Sequence, residues 1–262
     1  MSEIVVQKFG GTSVGTVDRI DSVAEIIKNA SKSNKIVVVV SAMGGETNRL
    51  VDLAKAFGDD PDKREFDALV STGETVSSAL LTMALHSKGV KAKSFSASQI
   101  SMRTTSSYSK AKILDVDAKK ILDVVENDTI PIITGFQGVT EGGDVTTLGR
   151  GGSDTTAVAI AAQISAIRCD IYTDVDGIFT TDPGVVPNAK KLDSITMEEM
   201  LELAGQGAKV VRTRAVEFAN KYKVPVRVLS SFNDGNGTLI SLKDESMELS
   251  LIHISEPTRR TI

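Results

Sequence analysis

The sequence predicts an α/β protein, a three-layer αβα sandwich with a mainly parallel central sheet. Six short apolar strand-like runs at 4–9, 36–40, 92–95, 130–133, 169–173 and 225–229 alternate with helical patterns at 17–30, 66–85, 117–126, 153–164, 196–205 and 209–222. That alternation is what strands joined by helical crossovers produce. The 262 residues, 41% hydrophobic and 24% charged, suffice to bury one large core. No Pro- or Ser-rich linker, internal repeat or low-complexity segment divides the chain, so residues 1–247 read as one domain. In open sheets of this kind ligands gather at the carboxyl ends of the strands, where the chain's glycine- and hydroxyl-rich segments fall.

The first strand, Ile4-Val5-Val6-Gln7-Lys8-Phe9, carries Lys8 to its end and runs into Gly10-Gly11-Thr12-Ser13-Val14-Gly15 before an amphipathic helix. The second strand ends in the glycines and hydroxyls of Ser41-Ala42-Met43-Gly44-Gly45-Glu46-Thr47-Asn48. Within the next helical pattern, Ser71-Thr72-Gly73-Glu74 sets a carboxylate beside a turn, and His86 falls where a helix ends, suited to a capping or dipole role. Short runs among Gly135, Gly138, Gly142 and Gly143 read as a β-hairpin over 134–148. Thr147-Leu148-Gly149-Arg150-Gly151-Gly152-Ser153-Asp154-Thr155-Thr156 then has the form of an anion-binding loop feeding a helix. Its glycines admit a ligand to the backbone, the helix start offers free N–H groups, Arg150 presents a fork for a carboxylate or phosphate, and Ser153 or Asp154 is expected to cap the helix. The fifth strand ends in Tyr172-Thr173-Asp174-Val175-Asp176-Gly177-Ile178-Phe179-Thr180-Thr181-Asp182-Pro183, and Gly207-Ala208-Lys209-Val210 opens the last helix with a lysine.

Several function classes are disfavoured. Neither glycine loop is G-x-x-x-x-G-K-[ST] or G-x-G-x-x-G, which removes the main support for P-loop and dinucleotide-binding readings. A net charge of -4 without a basic block argues against nucleic-acid and membrane-surface partners. The lone Cys169 excludes an internal disulfide and a Cys-based zinc site, and its apolar surroundings suit a buried small hydrophobe. No dedicated set of metal ligands is evident, and no leader-like start or apolar run of about 18 residues occurs, so a cytoplasmic protein is expected. The segment from Leu249 to Arg259 looks like translated sequencing-adapter DNA, so residues 248–262 are expected to be a non-native tail on a truncated reading frame.

Lys8-Phe9-Gly10-Gly11-Thr12-Ser13, Ser41-Ala42-Met43-Gly44-Gly45, Ser71-Thr72-Gly73-Glu74, the run 135–156, 173–177 and 207–210 occur in the order found in aspartate kinases, which the chain closely resembles. The resemblance implies the amino-acid-kinase (carbamate-kinase-like) fold, with the N-terminal part mainly binding aspartate and the C-terminal part mainly binding ATP. It implies transfer of the ATP γ-phosphoryl group to the side chain of L-aspartate, an early step of lysine, threonine and methionine biosynthesis. Mg²⁺ would be bound mainly through the nucleotide phosphates, a homodimer is a possibility, and C-terminal ACT regulatory domains would be missing.

Carried over by position, Lys8, Phe9, Gly10, Gly11 and Ser41 would contact the nucleotide phosphates, with Lys8 also catalytic, and Asp154 would organise Lys8 or the metal-bound phosphates. Thr47, Glu74, Arg150 and Ser153 would bind aspartate, Glu74 through its ammonium and Arg150 through its α-carboxylate. Thr173, Asp174, Phe179 and Asp182 would meet adenine, ribose or the nucleotide loop, and Lys209 the phosphates. Gly184 departs from the family, which often has a basic residue after Asp-Pro. Kinases for glutamate or N-acetylglutamate, and a catalytically silent amino-acid sensor, stand as alternatives. A carboxylate acceptor, with a pKa of about 3.9, is already an anion at neutral pH and needs no general base.

Overall fold

A computed structural model describes residues 3–186, 188–205 and 211–242. In chain order the elements are β1 (Ile4–Phe9), α1 (Val17–Ala30), β2 (Lys35–Val40), α2 (Glu46–Lys55), α3 (Lys63–Val70), α4 (Thr72–Ser87), β3 (Ala92–Phe95), β4 (Arg103–Thr104), β5 (Ile113–Asp115), α5 (Ala118–Glu126) and β6 (Ile130–Thr134). They continue with β7 (Gln137–Val139), β8 (Val145–Thr147), α6 (Gly152–Gln163), β9 (Arg168–Thr173), β10 (Ser194–Thr196), α7 (Met197–Gly205), α8 (Thr213–Tyr222), β11 (Val226–Ser230) and β12 (Thr238–Ser241).

The main sheet runs β10-β12-β11-β9-β1-β2-β6-β3. From β11 to β3 every neighbouring pair is parallel, and the antiparallel β11–β12 contact reverses the direction at one edge. Period-two side-chain alternation divides each buried strand between two faces. On β2, Val37 and Val39 join a cluster with Ile121 of α5, Ile160 of α6 and Val216 of α8. Ile36, Val38 and Val40 join the opposite cluster with Ile20, Val23 and Ile27 of α1 and Leu81 and Leu85 of α4. Coverage on both faces is why β2 is apolar from Ile36 to Val40, and it gives the three layers expected from the sequence. Cys169 is fully buried in the first cluster, and burial pushes its thiol pKa up.

A second, four-stranded sheet, β5-β4-β7-β8, packs against α3. Its β7–β8 pair is the expected hairpin, with Gln137 opposite Thr147 and Val139 opposite Val145. The short β4, β5, β10 and β12 are additions to the six expected strands. The expected helix 66–85 breaks at Ser71, whose carbonyl accepts from Gln137 Nε2 at 2.5 Å. That distant side chain occupies an acceptor next to the break between α3 and α4. The run Lys63–Ser87 is long and apolar enough to cross a membrane by composition, but half of its apolar window is buried inside the fold, as in a core helix. His86 sits in the last turn of α4, and its Nε2 donates to the carbonyl of Ala92 at the start of β3.

Two positions need glycine for geometric reasons. Gly237 has φ +66° between β11 and β12, and a Cβ there would lie 2.0 Å from the carbonyl oxygen of Val228. We expect Gly237→Ala to cost more than about 2 kcal/mol and to lower the Tm by several degrees, because a left-handed backbone and a backbone clash coincide. An unchanged melting curve would contradict this. The second position, Gly151, shapes the candidate site.

Candidate active site

The carboxyl ends of β1 and β2, the starts of α2, α4 and α6, and the loop after β8 surround a cavity of about 950 Å³. Eight residues singled out from the sequence line it: Lys8, Gly11, Ser41, Thr47, Glu74, Arg150, Ser153 and Asp154.

At its centre Lys8 Nζ lies 2.7 Å from Asp154 Oδ1, each side chain about 11% exposed. The pair forms because neither Ser153 nor Asp154 caps α6, contrary to the sequence expectation. Gly151 is the N-cap, in the left-handed region at φ +74°, and makes no side-chain cap bond. Both polar side chains therefore fall in the first turn, free of the capping role. A Cβ on Gly151 would come within 2.4 Å of Arg212 Cγ, so the glycine also lets α8 approach the loop. Asp154 Oδ1 has the ammonium as neighbour but no well-aligned hydrogen bond. A buried pair of this kind contributes less to stability than its separation suggests, since both charges have left water.

Glu74 is 3% exposed. Its Oε1 accepts the N–H of Ala42 at 3.1 Å, while Oε2 is buried without a partner. Burial pushes its pKa up to about 8, and the Ala42 bond only partly opposes this. The carboxyl is thus largely protonated at neutral pH, and a cation entering the cavity would favour its ionised form and pair with it. In the unfolded chain the same group titrates near 4.5, so folding takes up a proton between pH 4.5 and 8. Its contribution is fully present below the unfolded value and is lost as pH rises through the folded one, a total on the order of 5 kcal/mol. Glu74→Gln should flatten the fall in Tm between pH 5 and pH 8. A variant as pH-sensitive as the parent would show that Glu74 is not the group responsible.

Arg150 is exposed on the glycine loop, and no carboxylate among the described residues pairs with it. Thr47, half-buried in the first turn of α2, faces the same cavity. Ser41 is held from behind, its carbonyl accepting the Ser77 hydroxyl at 2.7 Å.

The remaining sequence candidates among the described residues are absent from its lining. Gly10 N–H donates to Tyr172 O at 3.2 Å, which joins the first glycine turn to the end of β9. The Phe9 ring is fully buried and stacks on Tyr172 with centroids 4.6 Å apart, leaving only its backbone near the turn. Thr173 ends β9 and donates its hydroxyl to exposed Asp174 at 3.1 Å. Ser231 ties the region together: its N–H donates to Thr173 O, its hydroxyl to Ser13 Oγ, and its carbonyl accepts from Arg19, whose guanidinium lies 3.7 Å from the Phe232 ring centroid. Phe179 is half-buried in a bridge to Lys191, and exposed Asp182 accepts Gly184 N–H at 2.8 Å in a local turn. Lys209 and residues 248–262 lie outside the described residues.

Sequence reasoning passed over Arg212, Ser109 and Phe136, which also line the cavity. Arg212 follows the Gly-Ala-Lys-Val segment closely enough to be noticed as a third cation; Ser109 carries no motif, and Phe136 lies in the 135–156 run without a role assigned to it. Both sit at positive φ, 62° and 68°, a tertiary constraint that the one-dimensional pattern does not encode.

The fold is an α/β sandwich with a polar cavity at the carboxyl ends of its parallel strands, and the model of the amino acid kinase family matches residues 3–230. The chain belongs to that family. It is 57% identical over 251 residues to an aspartate kinase of Stutzerimonas stutzeri (strain A1501), an alignment covering 95% of this chain. The chain spans 61% of that relative's length. Among solved structures, an aspartate kinase from Synechocystis superposes with TM-score 0.81 at 47% identity, covering 91% of this chain and 40% of the other. Aspartokinase III of E. coli, solved with aspartate and ADP, gives TM-score 0.84 at 33% identity, covering 91% of this chain and 64% of the other.

Proposed function

We propose that this chain carries the catalytic machinery of an ATP-dependent aspartate kinase, residues 1–247 forming the catalytic domain. The carrying observation is that one cavity brings the Lys8–Asp154 pair together with two groups of opposite use, the free Arg150 fork and the buried Glu74 carboxyl. Arg150 and Ser153 suit the α-carboxylate of aspartate, Glu74 its ammonium, and Thr47 the acceptor end. Gly10, Gly11, Ser41 and Lys8 then face the phosphates. The ends of β9 and β11, with Thr173, Asp174, Phe179 and Asp182, supply the adenosine side, so the N-terminal part mainly takes aspartate and the C-terminal part mainly ATP. The family membership and the aspartate kinase relatives support this assignment.

In the reaction a β-carboxylate oxygen of aspartate attacks the γ-phosphorus, the bond to the ADP oxygen breaks, and no proton need move. The obstacle is anion–anion repulsion, which Lys8 offsets and which in-line positioning overcomes. Mg²⁺, where bound, neutralises charge on the nucleotide phosphates. The residue that would meet such an ion is Asp154, a cavity-lining carboxylate whose Oδ1 lies 2.7 Å from the Lys8 ammonium without an aligned hydrogen bond. A cytoplasmic site of action matches the ATP supply.

Glu74 separates this reading from an N-acetylglutamate kinase, because an acetylated amine has no charge to pair with it. Steady-state ADP release with aspartate, glutamate and N-acetylglutamate as parallel acceptors tests the proposal. Stimulation by aspartate is expected. ATP and aspartate binding without turnover would favour the sensor reading.

A further inference from the structure

Asp67 of α3 is completely buried, yet it does not line the cavity and no motif marked it. Its oxygens divide four donors symmetrically. Oδ2 accepts the backbone N–H groups of Ser109 and Thr147, each at 2.8 Å. Oδ1 accepts their hydroxyls, at 3.1 and 2.8 Å. Both donor residues do line the cavity. Thr147 ends β8, three residues before Arg150, and Ser109 O lies where it would be only 3.0 Å from a Cβ on Gly149.

A cation holds the same two segments by their acceptors. Arg214 of α8 donates to Leu148 O at 2.8 Å and to Ala111 O at 3.1 Å, and Ala111 N–H donates to Thr147 O at 3.0 Å. The segments 109–111 and 147–148 are therefore gripped by a carboxylate through N–H and O–H groups and by a guanidinium through carbonyls. Charge-assisted bonds to backbone are the strong kind, and a buried carboxylate with four donors has no reason to seek another partner.

We infer that Asp67, with Arg214 opposite it, is a positioning residue that fixes the glycine loop carrying Arg150, and so sets affinity for the acceptor's carboxylate rather than for the nucleotide. The kinetic part rests on the aspartate kinase reading; the mechanical part does not. Placing a functional side chain through a supporting layer of locked hydrogen bonds is how a flexible fork gains directional precision.

The test uses Asp67→Asn and the milder, shape-conserving Thr147→Val, which removes one of the four donors. Amide hydrogen exchange of the full chain comes first. Faster exchange across 148–151, with unchanged exchange in the 10–15 turn, is expected in both variants. Unchanged exchange across 148–151 in folded Thr147→Val overturns the clamp whether or not the protein phosphorylates aspartate. Kinetically, Thr147→Val should raise the KM for aspartate about 3- to 10-fold while the KM for ATP stays within about twofold. In an Arg150→Ala background it should have little further effect on that KM, because it acts through Arg150. The same multiplication in both backgrounds, or equal changes in the two KM values, overturns the proposal. Absence of aspartate turnover in the parent would instead overturn the functional reading and leave the exchange result to decide the clamp.

Discussion

Lys8→Ala is expected to lower kcat by about 100- to 1000-fold, with smaller changes in the KM values, as when a preorganised stabiliser of transition-state charge is removed. Lys8 is the penultimate residue of a central strand that is buried on both faces, so its ammonium has little freedom to be replaced by a neighbour. It also holds Asp154 at 2.7 Å, and the variant leaves that carboxylate buried without its cation. Breaking such a pair by removing one partner can cost about 3–5 kcal/mol of stability. The two effects separate in the double variant Lys8→Ala/Asp154→Asn, which should recover much of the lost Tm and none of the lost kcat. Recovery of turnover with stability would show that Lys8 is structural.

Arg150→Ala is expected to behave in the opposite manner. Its side chain is exposed and unpaired among the described carboxylates, so stability should hardly change. The KM for aspartate should rise, and kcat/KM should fall about 30- to 1000-fold, matching roughly 2–4 kcal/mol for the loss of a charged fork contact. The KM for ATP should move little. A rise in both KM values by the same factor would place Arg150 on the phosphates instead. Unchanged kinetics would remove it from the site.

The strand and helix alternation was legible because strands buried on both faces carry apolar runs, Ile36 to Val40 of β2 most plainly, and because α1 carries a clean helical period. The site was legible where glycines cluster at strand ends, which covers Lys8, Ser41 and Arg150, and in the Ser-Thr-Gly-Glu segment of a helical pattern, which gives Glu74. Tertiary interactions account for the misreadings. Ser153 and Asp154 have the side chains of helix caps, yet a left-handed glycine starts α6 and leaves Asp154 to Lys8. The start of α2 went unread because its N-cap is Gly45, at φ +81°, with no capping side chain to announce it. Asp67 looked like any helical aspartate, since its four partners come from residues 42 and 80 positions away. Phe9, adjacent to the phosphate turn in sequence, has its ring in the core because strand alternation turns it away from Lys8.

The central claim is that the cavity joins a nucleotide's terminal phosphoryl group to the side-chain carboxylate of aspartate. Trapping the acyl phosphate with hydroxylamine tests it most directly, with the protein, MgATP and L-aspartate present together and each left out in turn. Aspartyl hydroxamate is expected only in the complete mixture, formed about 100- to 1000-fold more slowly by Lys8→Ala and restored at high aspartate in Arg150→Ala. Hydroxamate from glutamate or N-acetylglutamate but not from aspartate, or none from a folded protein that binds both ligands, would contradict it.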